Sequence, residues 1–200
     1  MKPFTQLSAV AVPLDLANID TDQIIPARYL GRPRAEQVEA MFRDLRFDSN
    51  GKSRPEFILN QPAYKAAAIL VTDDNLGCGS SRESAVTVMM DNGFKAFVAP
   101  SFGDIFYNNC LQNGVLPVRL PTQRVAQLRA LLTQTPGSQI TIDLPAQTIT
   151  GPDGQIDRFD IDSFRKACLV QGVDAIDLTL SLEDDILRFE QRQAREMPWL

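Results

Sequence analysis

The 200-residue sequence predicts a mixed α/β fold with βαβ units and a small antiparallel β element. Three observations carry that expectation. Between residues 67 and 132, short apolar runs alternate with amphipathic helical patterns, as parallel strands with right-handed crossovers require. Beyond residue 139 the runs shorten and cluster around Gly151-Pro152-Asp153-Gly154, a strong turn signal. The composition, 44% hydrophobic and 22% charged, is that of an ordinary globular protein long enough to bury a substantial core.

Each element follows from its local pattern. Residues 9–14 are apolar and β-branched enough for a strand, and a polar turn then runs into Ile24, Ile25 and Pro26. Residues 34–46 read as one amphipathic helix, with Val38, Met41, Phe42 and Leu45 at helical spacing. Asp48 to Ser53 is the clearest surface loop and the best place for a linker. Residues 67–71 read as a buried strand, 82–92 as a helix closed by Gly93, and 95–99 as the next strand. Ser101 is placed to cap a helix carrying Phe102, Ile105 and Phe106, with Gly114 closing it. Residues 115–120 form another strand and 124–132 another amphipathic helix. Short strands are expected at 139–144, 146–150 and 155–159, then a short helix with Phe164, Ala167 and Cys168 ending at Gly172. Ser181-x-x-Asp184 resembles a helix N-terminus before a charged tail. The expected organisation is one domain over residues 1–200, with a helical tail from about 181 to 200.

Composition also excludes several classes. A net charge of −5 without a basic block argues against nucleic acid or anionic membranes as partners. No apolar run reaches the length of about 18 residues that spans a bilayer. The first residues lack a signal-peptide core, so the expected location is the cytoplasm. Cys78, Cys110 and Cys168 are too widely spaced for a disulfide framework or a CxxC metal site. Cys110 and Cys168 fit helical patterns as small core residues, and Cys78 lies inside a glycine loop.

That loop, Gly77-Cys78-Gly79-Ser80-Ser81-Arg82-Glu83-Ser84-Ala85, is the most informative stretch. It joins a predicted strand to a predicted helix, where backbone N–H groups and the helix dipole favour an anion. Arg82 adds a planar fork suited to carboxylate or phosphate. A glycine turn with a serine N-cap accounts for the same residues without any ligand. Serine-hydrolase chemistry is disfavoured, because the second glycine of a G-x-S-x-G elbow is missing and the chain contains no histidine. No Gly-Lys-Ser/Thr follows, so this is not a Walker A loop. Upstream, Asp20-Thr21-Asp22 taken alone reads as an Asx-turn or a solvated cap, and two carboxylates are too few for a metal site.

Taken together, the two segments resemble a known family. Asn18-Ile19-Asp20-Thr21-Asp22-Gln23-Ile24-Ile25-Pro26-Ala27-Arg28-Tyr29-Leu30 resembles the opening of the 3-isopropylmalate dehydratase small subunits, and Gly77 to Glu83 resembles their serine–arginine loop. Further matches run from Ala99 to Cys110, at Asn113-Gly114, at Phe164-Arg165-Lys166 and at the ending Pro198-Trp199-Leu200. The resemblance covers nearly the whole chain, with its motifs in order.

The family is similar to the mobile C-terminal domain of aconitase. The resemblance therefore implies a swivelling β/β/α domain detached as a separate polypeptide. It implies a large partner subunit holding a [4Fe–4S] cluster, with none bound by this chain. It also implies isomerisation of 2-isopropylmalate to 3-isopropylmalate, by dehydration and rehydration, in leucine biosynthesis. By the same pattern Ser80 is the base that takes the substrate proton, Ser81 binds a carboxylate or supports the loop, and Arg82 clamps a carboxylate. The Gly79-Ser80-Ser81 backbone is placed to offer N–H groups to the oxyanion, and by the family pattern Asp22 orients the arginine or serine. Arg28, Tyr29, Leu30 and Arg32 lie in the segment that distinguishes substrates. A leucine there suits an alkyl group and an arginine an extra carboxylate; both are present, and Tyr29 and Leu30 also suit plain core packing. One departure stands out: Ser84 occupies the position where family members usually carry histidine. It leaves open a related hydro-lyase for a citraconate-, homocitrate- or methylmalate-like acid, or a non-catalytic anion-binding module.

Overall fold

The computed structural model describes residues 1–197 and Trp199. Pro198 and Leu200, part of the C-terminal ending that resembles the family, lie outside the described residues. The chain opens with β1 (Gln6–Leu14), followed by α1 (Thr21–Ile24), α2 (Arg34–Glu39) and α3 (Arg43–Arg46). Then come β2 (Ile69–Thr72), α4 (Glu83–Asp91), β3 (Ala96–Ala99), α5 (Asp104–Gln112), β4 (Leu116–Arg119) and α6 (Thr122–Gln134). The last third holds β5 (Gln139–Asp143), β6 (Thr148–Thr150), β7 (Ile156–Arg158), α7 (Ser163–Gln171), α8 (Ala175–Leu180) and α9 (Glu183–Glu196).

Among the described residues the strands form one sheet in the order β4-β3-β2-β1-β5-β6-β7. β1 joins its two halves. Its first half pairs antiparallel with β5, from Gln6 opposite Asp143 to Val10 opposite Gln139. Its second half pairs parallel with β2, from Ala11 opposite Ile69 to Leu14 opposite Thr72. Pro13 is tolerated because its missing N–H lies on the side where β5 has already ended. Pro117 sits on β4, an edge strand, where a lost donor costs least.

Strand alternation divides the core into two layers. Leu70 and Phe97 face a layer built with Ala85, Val86, Met89 and Phe106 from α4 and α5. Ile69, Val71, Ala96 and Val98 face the other side, covered by Val125, Leu128 and Leu132 of α6. β2 and β3 are buried at every position and read as apolar runs, broken only by Thr72, whose hydroxyl donates to Leu16 O at 2.7 Å. Arg124 of α6 is itself buried, and Asp153 and Asp157 meet its guanidinium at 2.8 and 2.6 Å, tying α6 to the β6–β7 hairpin.

Several local expectations change. The single helix over 34–46 is two helices, α2 and α3, separated at Phe42, whose φ is 51°. The Phe42 N–H donates to the Ile24 carbonyl at 2.8 Å, and its ring is fully buried against Phe57. A left-handed residue costs about 1–2 kcal/mol; burying a phenylalanine returns about 1.5–3 kcal/mol. Asp48 to Ser53 is a tight turn rather than a linker, its N–H groups of Asn50 and Lys52 both donating to the Asp48 carboxylate. Ser101 caps no helix: α5 starts beyond Gly103, and the Ser101 hydroxyl braces the loop that follows β2. Ser181 ends α8, an unanticipated helix capped by Asp174, and α9 begins after Leu182. α9 carries Ile186, Leu187 and Phe189 on its exposed surface. None of the described helices is long and apolar enough to cross a membrane.

Candidate active site

Three loops converge at the carboxyl ends of β1, β2 and β3, the edge where open α/β sheets bind ligands. Backbone hydrogen bonds stitch them together. In the β2–α4 loop, the Gly77 N–H donates to Ile19 O at 2.7 Å and Cys78 O accepts from the Thr21 N–H at 3.0 Å. On its other flank, Leu76 N–H donates to Ser101 O, and Gly103 N–H returns to Leu76 O. A side-chain brace lies beneath: Ser101 Oγ accepts from the Asn75 N–H at 2.9 Å and donates to Asp74, while Asn75 Nδ2 donates to Asn18 Oδ1 at 2.8 Å.

The glycines are dictated by this packing. Gly77 has φ +76°, and a Cβ there would stand 2.0 Å from Cγ of the buried Phe106 ring. Gly79 has space for a side chain, but its φ of +90° is a conformation that side chains rarely adopt. The resulting turn exposes Ser80 and Ser81 to solvent just before α4, and neither hydroxyl has a hydrogen-bond partner among the described residues. α4 starts at Glu83, with Arg82 as its N-cap residue, one residue later than expected.

Asp22 and Arg82, sixty positions apart in sequence, form the electrostatic centre. Arg82 Nη1 lies 2.5 Å from Asp22 Oδ1, and Nη2 donates to Oδ2 at 2.9 Å, a two-point pair that fixes the guanidinium plane. Arg82 Nη1 also reaches Ile25 O at 3.5 Å. The arginine side chain is only 14% exposed, its carboxylate partner 56%. The hydrogen bond from Arg82 holds the Asp22 carboxyl below its ordinary pKa, and Asp22 in turn raises that of Arg82. A depressed carboxylate contributes its pairing above the ordinary aspartate range and loses it as pH falls through the lowered value. The clamp is therefore intact at neutral pH.

Asp20 and Thr21 position the loop rather than bind a metal. Asp20 is the N-cap of α1 in a capping box with Gln23, its carboxylate accepting from Gln23 N at 2.7 Å. Thr21 is 2% exposed, and its hydroxyl donates to Ser80 O at 2.9 Å. That contact was not assigned from sequence; the signal available was a threonine set between two motif aspartates. Asn113 at the end of α5 donates to the Glu83 carboxylate at 3.0 Å and ties the first turn of α4 to its neighbour. Ser84 lies half-buried on that turn.

The segment from Arg28 to Arg32 is placed differently from the pair of Asp22 and Arg82. Arg28 forms a two-point pair with Asp44, and Arg32 meets Glu36 at 3.3 Å, so both cations already face acids of this chain. Tyr29 and Leu30 are half-buried against the core beneath α4, combining packing with partial exposure. Among the described residues no group of three or more His, Cys, Asp or Glu could hold a metal ion. The three cysteines sit on separate elements: Cys78 in the serine loop, Cys110 buried in α5, Cys168 in α7. They do not fit an iron–sulfur ligand set.

Comparison with known proteins agrees with this architecture. Residues 1–123 match the family model of the aconitase C-terminal domain. Residues 126–163 match the LeuD_N model, and residues 176–200 match the model for the C-terminal domain of 3-isopropylmalate dehydratase small subunits. The chain is 47% identical to the 3-isopropylmalate dehydratase small subunit of Parvibaculum lavamentivorans, with all of both chains covered. It is 49% identical to that of Leptospira interrogans, covering all of this chain and 98% of the relative. A crystal structure of 3-isopropylmalate dehydratase (leuD) from Methanocaldococcus jannaschii has the same fold, with a TM-score of 0.64 at 22% identity over 93% of this chain and 99% of the other. Placed with these relatives along its whole length, the chain belongs to the 3-isopropylmalate dehydratase small-subunit family, and shares the fold of the aconitase swivel domain.

Proposed function

We propose that this chain supplies half of a catalytic cleft that interconverts 2-isopropylmalate and 3-isopropylmalate in leucine biosynthesis, the other half coming from its large subunit. The observation that carries this reading is the pair of exposed, uncommitted hydroxyls beside a fixed guanidinium, at the carboxyl edge of the parallel strands. Ser80 takes the proton from the substrate carbon. A serine hydroxyl is a weak acid, so its oxyanion needs donors held ready before reaction; the Gly79–Ser81 backbone and the start of α4 are the groups available. Arg82 receives a substrate carboxylate, with Asp22 keeping the fork in one plane. Ser81 adds a second donor.

Expulsion of the substrate hydroxyl needs a Lewis acid, which an iron–sulfur cluster held by the large subunit would supply. The described residues of this chain offer no ligand set for it, so the chain's own part is to bind, orient and move a proton. Leu30 suits an alkyl-bearing substrate, while Arg28 and Arg32 make only exposed, weak pairs with Asp44 and Glu36. The working location proposed is the cytoplasm.

The test is reconstitution with the large subunit and assay of a panel of branched hydroxy diacids. Turnover of 2-isopropylmalate only when both chains are present is the expected result. Preference for a citraconate-, homocitrate- or methylmalate-like acid would assign the Ser84 departure to altered substrate range. A chain that never pairs with a cluster-bearing partner would be an anion-binding module instead.

Two variants probe the clamp and its support. Arg82→Lys is expected to raise KM about tenfold or more, because an ammonium cannot reproduce a two-point fork. An unchanged KM would make Arg82 structural. Thr21→Val keeps shape but removes the donor to Ser80 O, so kcat should fall while Thr21→Ser restores it. Equal kcat in valine and serine variants would show that this hydrogen bond does not position the loop.

A further inference from the structure

A second concavity lies at the opposite end of the sheet. It has a volume of about 600 Å³, within the range of small-molecule sites. Its walls include the segments that lead into β2 and β3, whereas the serine loop leaves the other end of β2. Met41, Phe47, Leu59 and Phe94 give it an apolar side. Arg46 and Lys65 line it too, and no aspartate or glutamate does. That is unexpected in a chain with 25 acidic and 20 basic residues.

Arg46 is the telling group. It is half-buried, yet no carboxylate pairs with it among the described residues. Its Nε donates to Asn60 Oδ1 at 2.9 Å and its Nη1 to Met41 O at 3.4 Å, while Nη2 has no hydrogen-bond partner among the described residues. Burial and repulsion from Arg43 both push its pKa down, and no acid offsets them. The guanidinium also lies 5.4 Å from the centre of the Phe47 ring, and its Nη2 edge stays open to solvent. Bound carboxylate would replace water there with a charge-assisted bond. Lys65, exposed at the rim and without an ion pair among the described residues, would add long-range attraction.

We propose that this cavity is a binding site for a small free organic carboxylate with an apolar body. Its anion would lie on Arg46 and its body against Met41, Leu59 and Phe94. No acid in the lining would pair with an ammonium on the ligand. The site is separate from the serine–arginine loop and does not depend on the reaction assigned there.

The experiment is calorimetric titration of the full-length chain with 4-methylpentanoate, alone and paired with its large subunit. Saturable binding is expected in both forms, and the corresponding alcohol should not bind. Arg46→Met should weaken the carboxylate roughly tenfold or more. Because Arg46→Met also removes the bond to Asn60, Lys65→Glu at the exposed rim is the second variant; it should keep the fold and still weaken binding several-fold. No saturation, equal binding of the alcohol, or affinity unchanged in Lys65→Glu would each overturn the proposal. Loss of binding on pairing would also overturn it, since the pocket would then belong to the interface between the two chains.

Discussion

Replacing Ser80 by alanine is expected to abolish turnover in the reconstituted enzyme while leaving the chain folded and paired. Loss of a positioned proton-transfer group costs about a hundred- to ten-thousand-fold in rate. The fold should not notice, because the hydroxyl is exposed and bonds to none of the described residues. The contacts that hold Ser80 in place run through its backbone, whose carbonyl accepts from Thr21. The measurement is kcat alongside thermal unfolding and co-purification with the large subunit. Near-normal kcat in a well-folded Ser80→Ala variant would remove serine from the proton-transfer role, and Ser81 would become the next hydroxyl to test.

Gly77→Ala should be the most damaging single methyl added anywhere in the serine loop. Its Cβ would lie 2.0 Å from Phe106 Cγ and 2.5 Å from Phe106 Cβ. Those atoms sit close to the backbone of α5 and cannot swing aside as a side-chain tip would. Phe106 is itself 2% exposed and packs 5.7 Å from the Phe97 ring of β3. The positive φ of Gly77 adds its own cost for an L-residue. Together overpacking and backbone strain give an expected loss of about 3 kcal/mol or more. For a chain of this length that lowers Tm by roughly 6–12 °C. Gly79→Ala at the same loop tests the distinction: space is free there, so only the φ penalty applies and the loss should be about 1–2 kcal/mol. Equal Tm for the two variants would show that Phe106 yields and that the close approach is not what requires glycine at 77.

The parallel half of the sheet was legible because strands buried on both faces read as apolar runs, as residues 69–71 and Ala96–Ala99 do. The β6–β7 hairpin was legible from its Pro-Asp-Gly turn. Breaks that depend on distant partners were not. Phe42 continues a helical pattern on its own, but a pocket shaped by Ile24 and Phe57 turns its backbone left-handed. Ser101 and Ser181 have the chemistry of helix caps. One was taken by Asp74 and Asn75, and the other fell at the end of α8. Local propensity is worth a few tenths to about one kcal/mol, and tertiary contacts of larger size decide against it.

The residues of the candidate site were named by their types and order: a hydroxyl pair and an arginine after glycines, and an aspartate in an earlier turn. Those types suit anion binding, and the absence of histidine disfavours a Ser-His-Asp triad. Only the folded chain brings Asp22 and Arg82 into one two-point pair, sets the Thr21 hydroxyl on Ser80 O, and occupies Arg28 and Arg32 with Asp44 and Glu36. The reason is physical. Side-chain chemistry is written residue by residue, but distance and direction between groups sixty positions apart arise only when neighbouring parallel strands deliver their loops to the same edge.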